Sequence, residues 1–141
     1  MNKEQVIEMF KEGLDCGQVI TLAIAEELGL DKELALKSAA PFGGGIFEAD
    51  ICGSYVGGLI ALGFKYGHSN PGDMETKGQM ISKIFQYKEK FNQLHQSHTC
   101  AGILGYNLTI PEESKIIEEK NLMFTVCPQL VLDVIDIVKN L

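Results

Sequence analysis

Four cysteines divide the chain, and each lies where a helix is expected to begin. They are Cys16, Cys52, Cys100 and Cys127. Each is followed by a small or helix-starting residue and then by an apolar run, as at a helix N-terminus. Such a terminus has free N–H groups and partial positive charge, so it favours the thiolate, the form of cysteine that binds metals and attacks disulfides. Four such positions in 141 residues predict one convergent sulfur site.

Apolar residues recur at helical spacing along most of the chain, and no alternating strand pattern or Asn-Gly hairpin is present. We therefore predict an all-α fold, a compact bundle of six or seven helices. A length of 141 residues with 45% hydrophobic composition suits a single domain over residues 1–141. The expected helices are a first one containing Val6 and Phe10, then 16–28, 31–40, 52–67, 73–95, short helical turns after Cys100 and at 111–120, and 127–141.

Two of these helices have the strongest patterns. Helix 52–67 is apolar on nearly all sides, which marks a central buried helix, and its glycines would let another backbone approach closely. Helix 73–95 has a single apolar stripe, formed by Met80, Ile84, Tyr87, Phe91 and Leu94. A stripe of this length can pack on the chain's own core or on a partner subunit, so it is compatible with a homodimer.

The charge of the chain restricts its partners. A net charge of −7 argues against nucleic acid and against anionic membrane surfaces. No signal-peptide pattern is visible, and the longest apolar tract, 55–64, is far shorter than the roughly 20 residues needed to span a bilayer. We therefore expect a cytoplasmic protein that is not inserted in a membrane. In a reducing cytoplasm, cysteines serve as metal ligands or transient redox groups more often than as structural disulfides.

The cysteine spacing by itself is a weak metal signature, because no pair forms a C-x-x-C motif. Scattered core cysteines are one interpretation. If the cysteines converge, four thiolates can hold an iron–sulfur cluster or a tetrahedral zinc ion. Alternatively, two pairs can cycle between dithiol and disulfide. Structural zinc is the less expected metal, because an apolar domain of this length does not need a metal to fold.

Three consecutive glycines, Gly43, Gly44 and Gly45, precede the second cysteine. They do not form a phosphate loop, because no Gly-Lys-Ser/Thr follows. We interpret them as a tight loop that brings backbone N–H groups close to the helix start at Cys52 and Gly53. A plain loop between helices is the equally weighted alternative.

Two other groups of polar residues receive simpler interpretations. His95 and His98 precede Cys100 with ligand-like spacing, but we favour solvated loop histidines, and no motif for covalent haem attachment is present. Glu48 and Asp50 are expected to favour the dipole of the following helix and to solvate the loop.

Several segments together form one specific pattern. They are Asp15-Cys16-Gly17-Gln18-Val19, Phe42-Gly43-Gly44-Gly45-Ile46, Cys52-Gly53-Ser54-Tyr55-Val56-Gly57-Gly58, Leu62-Gly63-Phe64-Lys65-Tyr66-Gly67, Cys100 before Leu104-Gly105, and Cys127-Pro128. In this combination the chain resembles, over nearly its whole length, the family of redox-active proteins named C_GCAxxG_C_C. Ser54 stands where the family has Ala, and Ile51 rather than Gly precedes Cys52, but neither change removes a sulfur.

The resemblance implies a small redox or metal-binding protein whose site is formed by the four cysteines. Some members are similar to a domain of multihaem cytochromes in which the cysteines are read as iron–sulfur ligands, and many lie near transporter genes. We therefore expect an iron–sulfur cluster, [2Fe–2S], that transfers electrons to a redox partner protein, with zinc as the alternative metal. The backbone of Gly43, Gly44, Gly45 and Gly53 is expected to contribute to cofactor binding.

Two alternatives stay open from the sequence. One is a thiol–disulfide oxidoreductase that uses cysteine pairs, and the other is a metal- or oxidant-sensing module associated with a transporter. Only the first of these alternatives would make the protein an enzyme.

Overall fold

The computed structural model describes residues 1–141, and its regular structure is helical, without β-strands. The all-α prediction is confirmed, with seven α-helices of eight or more residues and two shorter ones. The helices are α1 (Lys3–Lys11), α2 (Cys16–Leu28), α3 (Lys32–Ala39), α4 (Gly53–Tyr66), α5 (Met74–Leu94), α6 (Cys100–Leu104), α7 (Pro111–Glu119), α8 (Leu122–Thr125) and α9 (Cys127–Lys139).

Local signals in the sequence account for most helix boundaries. The side chain of Asp31 accepts a hydrogen bond from the backbone N–H of Leu34 at 3.0 Å, which caps the start of α3. Gly29 ends α2 in the left-handed conformation, with φ 70° and ψ 30°. At α9 the sequence, with Pro128 in the first turn, favours Cys127 as the N-cap, but Cys127 is the first residue of the helix. Val126 occupies the cap position, since α8 leads directly into α9.

The core lies where α2, α4 and α9 pack together, with α5 against α4. The predicted close approach at the α4 glycines is confirmed: a Cβ built on Gly57 would lie 2.7 Å from the Cα of Gly17 in α2. No side chain therefore fits between these two helices at that point. The largest buried core side chains are Val6, Val19, Ile20, Ile24, Leu62, Tyr87, Phe91, Leu130, Val131, Val134 and Val138.

The predicted burial of α4 is only partly correct. Its contacts with α2, α3, α5 and α9 make it the central helix. Leu59, Ile60 and Phe64 nevertheless keep partial exposure, because no helix covers that side completely.

The predicted stripe of α5 is also buried over only part of its length. Tyr87 and Phe91 are fully buried, whereas Leu94, the last residue of the helix, is exposed. The ammonium of Lys83, on the side of α5 opposite the stripe, donates a hydrogen bond to the backbone oxygen of Leu141 at 2.7 Å.

The segment between α3 and α4 departs most from the prediction. Gly44, Gly45, Ile46 and Phe47 have consecutive φ angles of 56°, 66°, 61° and 56°, which is a left-handed turn. A hydrogen bond from Asp50 N to Gly45 O, 2.9 Å long, closes the turn. The left-handed conformation costs about 1–2 kcal/mol for each residue that has a Cβ atom. Ala49, just before Asp50, also has a positive φ of 56°, so the surrounding contacts must hold three non-glycine residues in place.

No single helix is both long and apolar enough to span a bilayer. One pair of helical segments, Pro111–Glu119 and Leu122–Lys139, together has the length and composition of a membrane span, but the pair is bent by 51° at its break.

Candidate functional site

The four cysteines meet around one small cavity. Cys16, Cys100 and Cys127 are the first residues of α2, α6 and α9, and Cys52 is the N-cap of α4. All four line a cavity of about 20 Å³, roughly the space of one water molecule. All four thiols are free, and no disulfide is present. The fold therefore brings the four cysteines at the helix starts together around one cavity, as predicted.

Backbone pairing sets the relative position of Cys52 and Cys100. Ile51 and Thr99 form an isolated antiparallel bridge. On either side of it, Cys52 N donates to His98 O and Cys100 N donates to Asp50 O, each at 2.7 Å. This short pairing holds two cysteines that are far apart in sequence at the same edge of the cavity.

Glycines let the backbone approach the cysteines closely. Gly44, Gly45 and Gly53 line the cavity, and their predicted part in cofactor binding stays a prediction. A Cβ on Gly45 would lie 2.7 Å from the Cβ of Cys100, and a Cβ on Gly53 would lie 2.7 Å from the sulfur of Cys16. Gly43 is placed differently, since it packs against the side chain of Asp15 and does not line the cavity.

Cys52 is the only cysteine whose pKa is lowered. The Cys16 thiol donates a hydrogen bond to the Cys52 sulfur, and the backbone N–H groups of Tyr55 and Ser54 add to it. Together they outweigh burial and lower the pKa of Cys52 from 9.0 to about 7. Because Cys16 holds the shared proton, its own pKa is raised well above 9.0.

The remaining two cysteines are stabilised as neutral thiols. Burial, and then the charge of Cys52, raise the pKa of Cys100 to about 11. Burial, followed by the charges of Cys52 and Cys100, raises the pKa of Cys127 to about 12. The negative charge of Cys52 is thus felt by all three other cysteines, so the four act as one electrostatic unit.

Ser54, noted in the sequence as a departure from the family pattern, lies in this site. Its side chain lines the cavity next to Cys16 and Cys52 and is fully buried. Its hydroxyl is close enough to the Cys16 and Cys52 sulfurs to act toward a lower pKa at both, although Oγ makes no hydrogen bond of good geometry. A hydroxyl donor is thus buried directly beside two of the four sulfurs.

Apolar side chains complete the wall of the cavity. Ile103, Leu104, Met123 and Leu130 lie around the cysteines. These residues were not predicted as part of the site. Only Met123 has a signal in the sequence, because it lies four residues before Cys127, about one helical turn away. The apolar wall shields Cys52 and Cys100 from bulk water, whereas Cys16 and Cys127 keep partial exposure.

The histidines and carboxylates near the cysteines lie outside the cavity. His95 pairs with Asp133 at 3.0 Å, and the exposed His98 ring stacks on Tyr55 with 5.2 Å between ring centroids. Glu48 is exposed on the left-handed turn, and the contribution of Asp50 is its backbone carbonyl. No three or more His, Cys, Asp or Glu side chains have the mutual placement needed to hold a single metal ion.

The chain was compared with families, curated proteins and solved structures. No curated protein and no solved structure is significantly similar to it. One family model matches residues 14–141 and leaves only the residues before Leu14 outside the match. The four cysteines and the glycines around them lie inside the matched region. The chain therefore belongs to the family described as "Putative redox-active protein (C_GCAxxG_C_C)".

Proposed function

We propose that the four cysteines form one redox centre that binds an iron–sulfur cluster, [2Fe–2S], and exchanges single electrons with a partner protein. One observation carries this proposal: Cys16, Cys52, Cys100 and Cys127 all line the same small cavity. A dithiol–disulfide pair needs two sulfurs, whereas an all-cysteine cluster needs four. Convergence of all four is therefore better explained by a cluster.

The residues present fit a cluster in their chemistry. The donor set is four thiols from four helix starts, with backbone N–H groups of Ser54 and Tyr55 directed at one sulfur. Hydrogen bonds to sulfur and an apolar wall are among the features by which proteins tune cluster potentials. The unpaired Ser54 hydroxyl supplies a further donor in the same cavity. When bound, the cluster would accept and release one electron.

The size and spacing of the cavity bear on which metal centre is favoured. A cavity of about 20 Å³ requires the sulfurs to move apart when a cluster is bound. A tetrahedral zinc site needs four sulfurs about 2.3 Å from one ion. The cysteines do not have that arrangement, so a zinc ion would require them to move as well. The preference for the cluster therefore rests on the apolar core, which is large enough to fold without a structural metal.

A second candidate function is thiol–disulfide exchange, and the contact between Cys16 and Cys52 favours it. A Cys52 thiolate would attack a disulfide of a partner protein, and one partner sulfur would leave as a thiolate. Cys16 would then lose its proton and displace the second partner sulfur, forming a Cys16–Cys52 disulfide. The partner gains two electrons and becomes a dithiol, while the two cysteines lose them.

Metal analysis separates these functions. Protein purified without air is assayed for iron, acid-labile sulfide and zinc, and its free thiols are counted. We expect about two iron and about two sulfide per chain, with visible absorption, if the cluster is the cofactor. Zinc near one per chain would contradict the cluster. Four free thiols without metal would also contradict it and favour disulfide exchange.

A matched pair of substitutions tests which cysteines are needed. Cys100→Ser and Cys127→Ser are expected to remove most of the iron, because cluster binding uses all four cysteines. In the thiol–disulfide alternative, these two variants keep the ability to form a Cys16–Cys52 disulfide. Full iron content in either variant would contradict a cluster with four cysteine ligands.

A further inference from the structure

A second cavity lies directly beside the four-cysteine cavity. It has a volume of about 290 Å³ and lies between α1, the start of α2 and the junction of α8 with α9. Cys16, Gly44, Met123 and Cys127 line both cavities. Because Cys52 and Cys100 line only the smaller cavity, the larger one reaches the redox centre from the side of Cys16 and Cys127.

The walls of this larger cavity are mainly apolar. Phe10, Leu14, Met123 and Phe124 provide them, and each keeps partial exposure, so the cavity is reachable from solvent. The rings of Phe10 and Phe124 meet edge to face with 6.4 Å between their centroids. Aromatic and thioether side chains with this accessibility suit a ligand that has an aromatic or aliphatic body.

The charges around the cavity restrict the ligand further. Asp15 is the only charged residue that lines it, and no lysine or arginine does. The whole chain has a net charge of −7. An anionic ligand would therefore lose hydration without gaining a cationic partner. The volume is close to the lower end of ligand pockets, about 300–1,000 Å³, which favours a small molecule over a protein segment.

We propose that this cavity binds a small, mainly apolar molecule without negative charge, in contact with the sulfurs of Cys16 and Cys127. The binding of such a molecule does not depend on the proposed redox centre. Its role as a small redox substrate does depend on that centre. The two sulfurs at its inner end distinguish it from an ordinary gap between helices.

Two fluorescent probes with the same ring system test the proposal. N-phenyl-1-naphthylamine is uncharged, and 8-anilino-1-naphthalenesulfonate is its sulfonated analogue. We expect saturable binding of the uncharged probe at one site per chain, and binding of the sulfonate at least about tenfold weaker. Equal affinity for both probes, or no saturable binding of the uncharged one, would overturn the proposal.

A pair of substitutions locates the probe. Leu14→Trp fills the cavity and is expected to abolish binding of the uncharged probe. Leu34→Trp adds the same bulk on α3, where the leucine is exposed and does not line the cavity, and is expected to leave binding unchanged. Unchanged binding in folded Leu14→Trp would contradict the assignment of the probe to this cavity.

Nuclear magnetic resonance of the metal-free wild-type protein, labelled with 13C at cysteine, gives a readout that does not depend on a variant folding. The bound probe is expected to shift the Cβ resonances of Cys16 and Cys127, which line the cavity, but not that of Cys100. Equal shifts at all cysteines, or no shift at any, would count against the proposed contact. If the probe binds but the anaerobically purified protein contains no metal, the binding proposal holds and the cluster proposal fails. If the protein contains the cluster but the probe does not bind, the cluster proposal holds and the binding proposal fails.

Discussion

At the scale of single residues, Cys52 differs from the other three cysteines because of where it lies. As the N-cap of α4 it receives backbone N–H groups, and Cys16 donates its thiol proton toward it. The other cysteines lie at the starts of helices too, yet burial and the charge of Cys52 raise the pKa of Cys100 and Cys127. A helix start alone therefore does not produce a thiolate. Near neutral pH the metal-free site is expected to contain one thiolate and three thiols.

The pH dependence of Cys52 alkylation tests this assignment. In the metal-free protein we expect the rate for Cys52 to rise with a midpoint near pH 7, since its pKa is lowered to about 7. Cys16→Ala removes the main hydrogen bond and should move the midpoint upward. Cys127→Ala is the control and should change it little, because neutral Cys127 places no charge beside Cys52. A wild-type midpoint near the ordinary value of 9.0 would contradict the assignment.

Two neighbouring glycines give a second test at the residue scale. Gly44 and Gly45 both have positive φ, so alanine costs about 1 kcal/mol of backbone strain at either position. Gly45→Ala additionally drives its Cβ against Cys100 and Asp50, while at Gly44 the nearest atom is 3.8 Å away. We expect Gly45→Ala to reduce the iron content of the purified protein severely and Gly44→Ala to reduce it little. Equal iron content in both variants would mean that this contact does not shape the site.

At the scale of elements, α4 is held between a helix backbone and an aromatic side chain. Gly57 faces Gly17 of α2, and the phenol oxygen of Tyr87 in α5 lies directly over Gly58. The same phenol donates a hydrogen bond to the carbonyl of Tyr55 at 2.9 Å. The glycines of α4 thus allow close packing on two sides, and this positions Cys52 at its N-terminus.

A glycine pair within α4 separates packing from helix propensity. Gly58→Ala forces Tyr87 to move and is expected to lower the free energy of unfolding by about 1–3 kcal/mol. Gly63→Ala meets no atom within 4 Å, so it should raise the free energy of unfolding by about 0.5–1 kcal/mol through its better helix propensity. Urea denaturation of both variants measures the difference. Stabilisation by Gly58→Ala would contradict the close packing of Tyr87 on α4.

Most helices could be predicted from the sequence, but the short helix α8 and the turn over the site could not. Caps such as Asp31 and Gly29 are local signals, and the residues after each cysteine are small or are helix starters. The left-handed conformation of Ile46 and Phe47 has no such signal, because both residues disfavour it on their own. Their backbone is held by contacts between distant segments, including the pairing of Asp50 with Cys100. The apolar wall around the sulfurs was unpredictable for the same reason, except for the helical spacing of Met123.

At the scale of the whole molecule, the raised thiol pKa values make stability depend on pH. In the unfolded metal-free chain the thiols titrate near 9.0, whereas the pKa values of folded Cys100 and Cys127 are about 11 and about 12. Above pH 9 the unfolded chain therefore releases protons that the folded chain keeps, and stability falls as pH rises. Cys52 acts in the opposite direction, since its lowered pKa adds stability between about pH 7 and pH 9.

Urea denaturation of the metal-free protein between pH 7 and pH 11 tests this balance. We expect the thiols to produce a maximum of stability near pH 9 and a loss above it. Cys127→Ala should reduce the loss of stability above pH 9, because it removes one of the thiols whose pKa is raised in the folded state. Stability that continues to rise above pH 10 would contradict the burial of neutral thiols.

A homodimer, with which the long helix is compatible, stays an untested prediction, and α5 offers a surface for it. Met74, Ile81 and Phe85 follow helical spacing on one side of α5, and Phe85 is 66% exposed. We expect light scattering at micromolar concentration to give twice the chain mass of 15.5 kDa. Phe85→Glu should then give a monomer, while Leu34→Glu on α3 should leave the dimer intact. A monomeric wild-type protein would rule out the dimer at that concentration.

Electron paramagnetic resonance of the reduced protein tests the single four-cysteine centre most directly. Metal-free protein is reconstituted with iron and sulfide without air, reduced, and measured alongside Ser54→Ala and four variants with one cysteine changed to serine. We predict the signal of one reduced [2Fe–2S] centre in the wild type and in Ser54→Ala. Each of Cys16→Ser, Cys52→Ser, Cys100→Ser and Cys127→Ser should shift or abolish it. A wild type that binds no cluster, or a signal unchanged by one of the four cysteine substitutions, would contradict a centre built from all four.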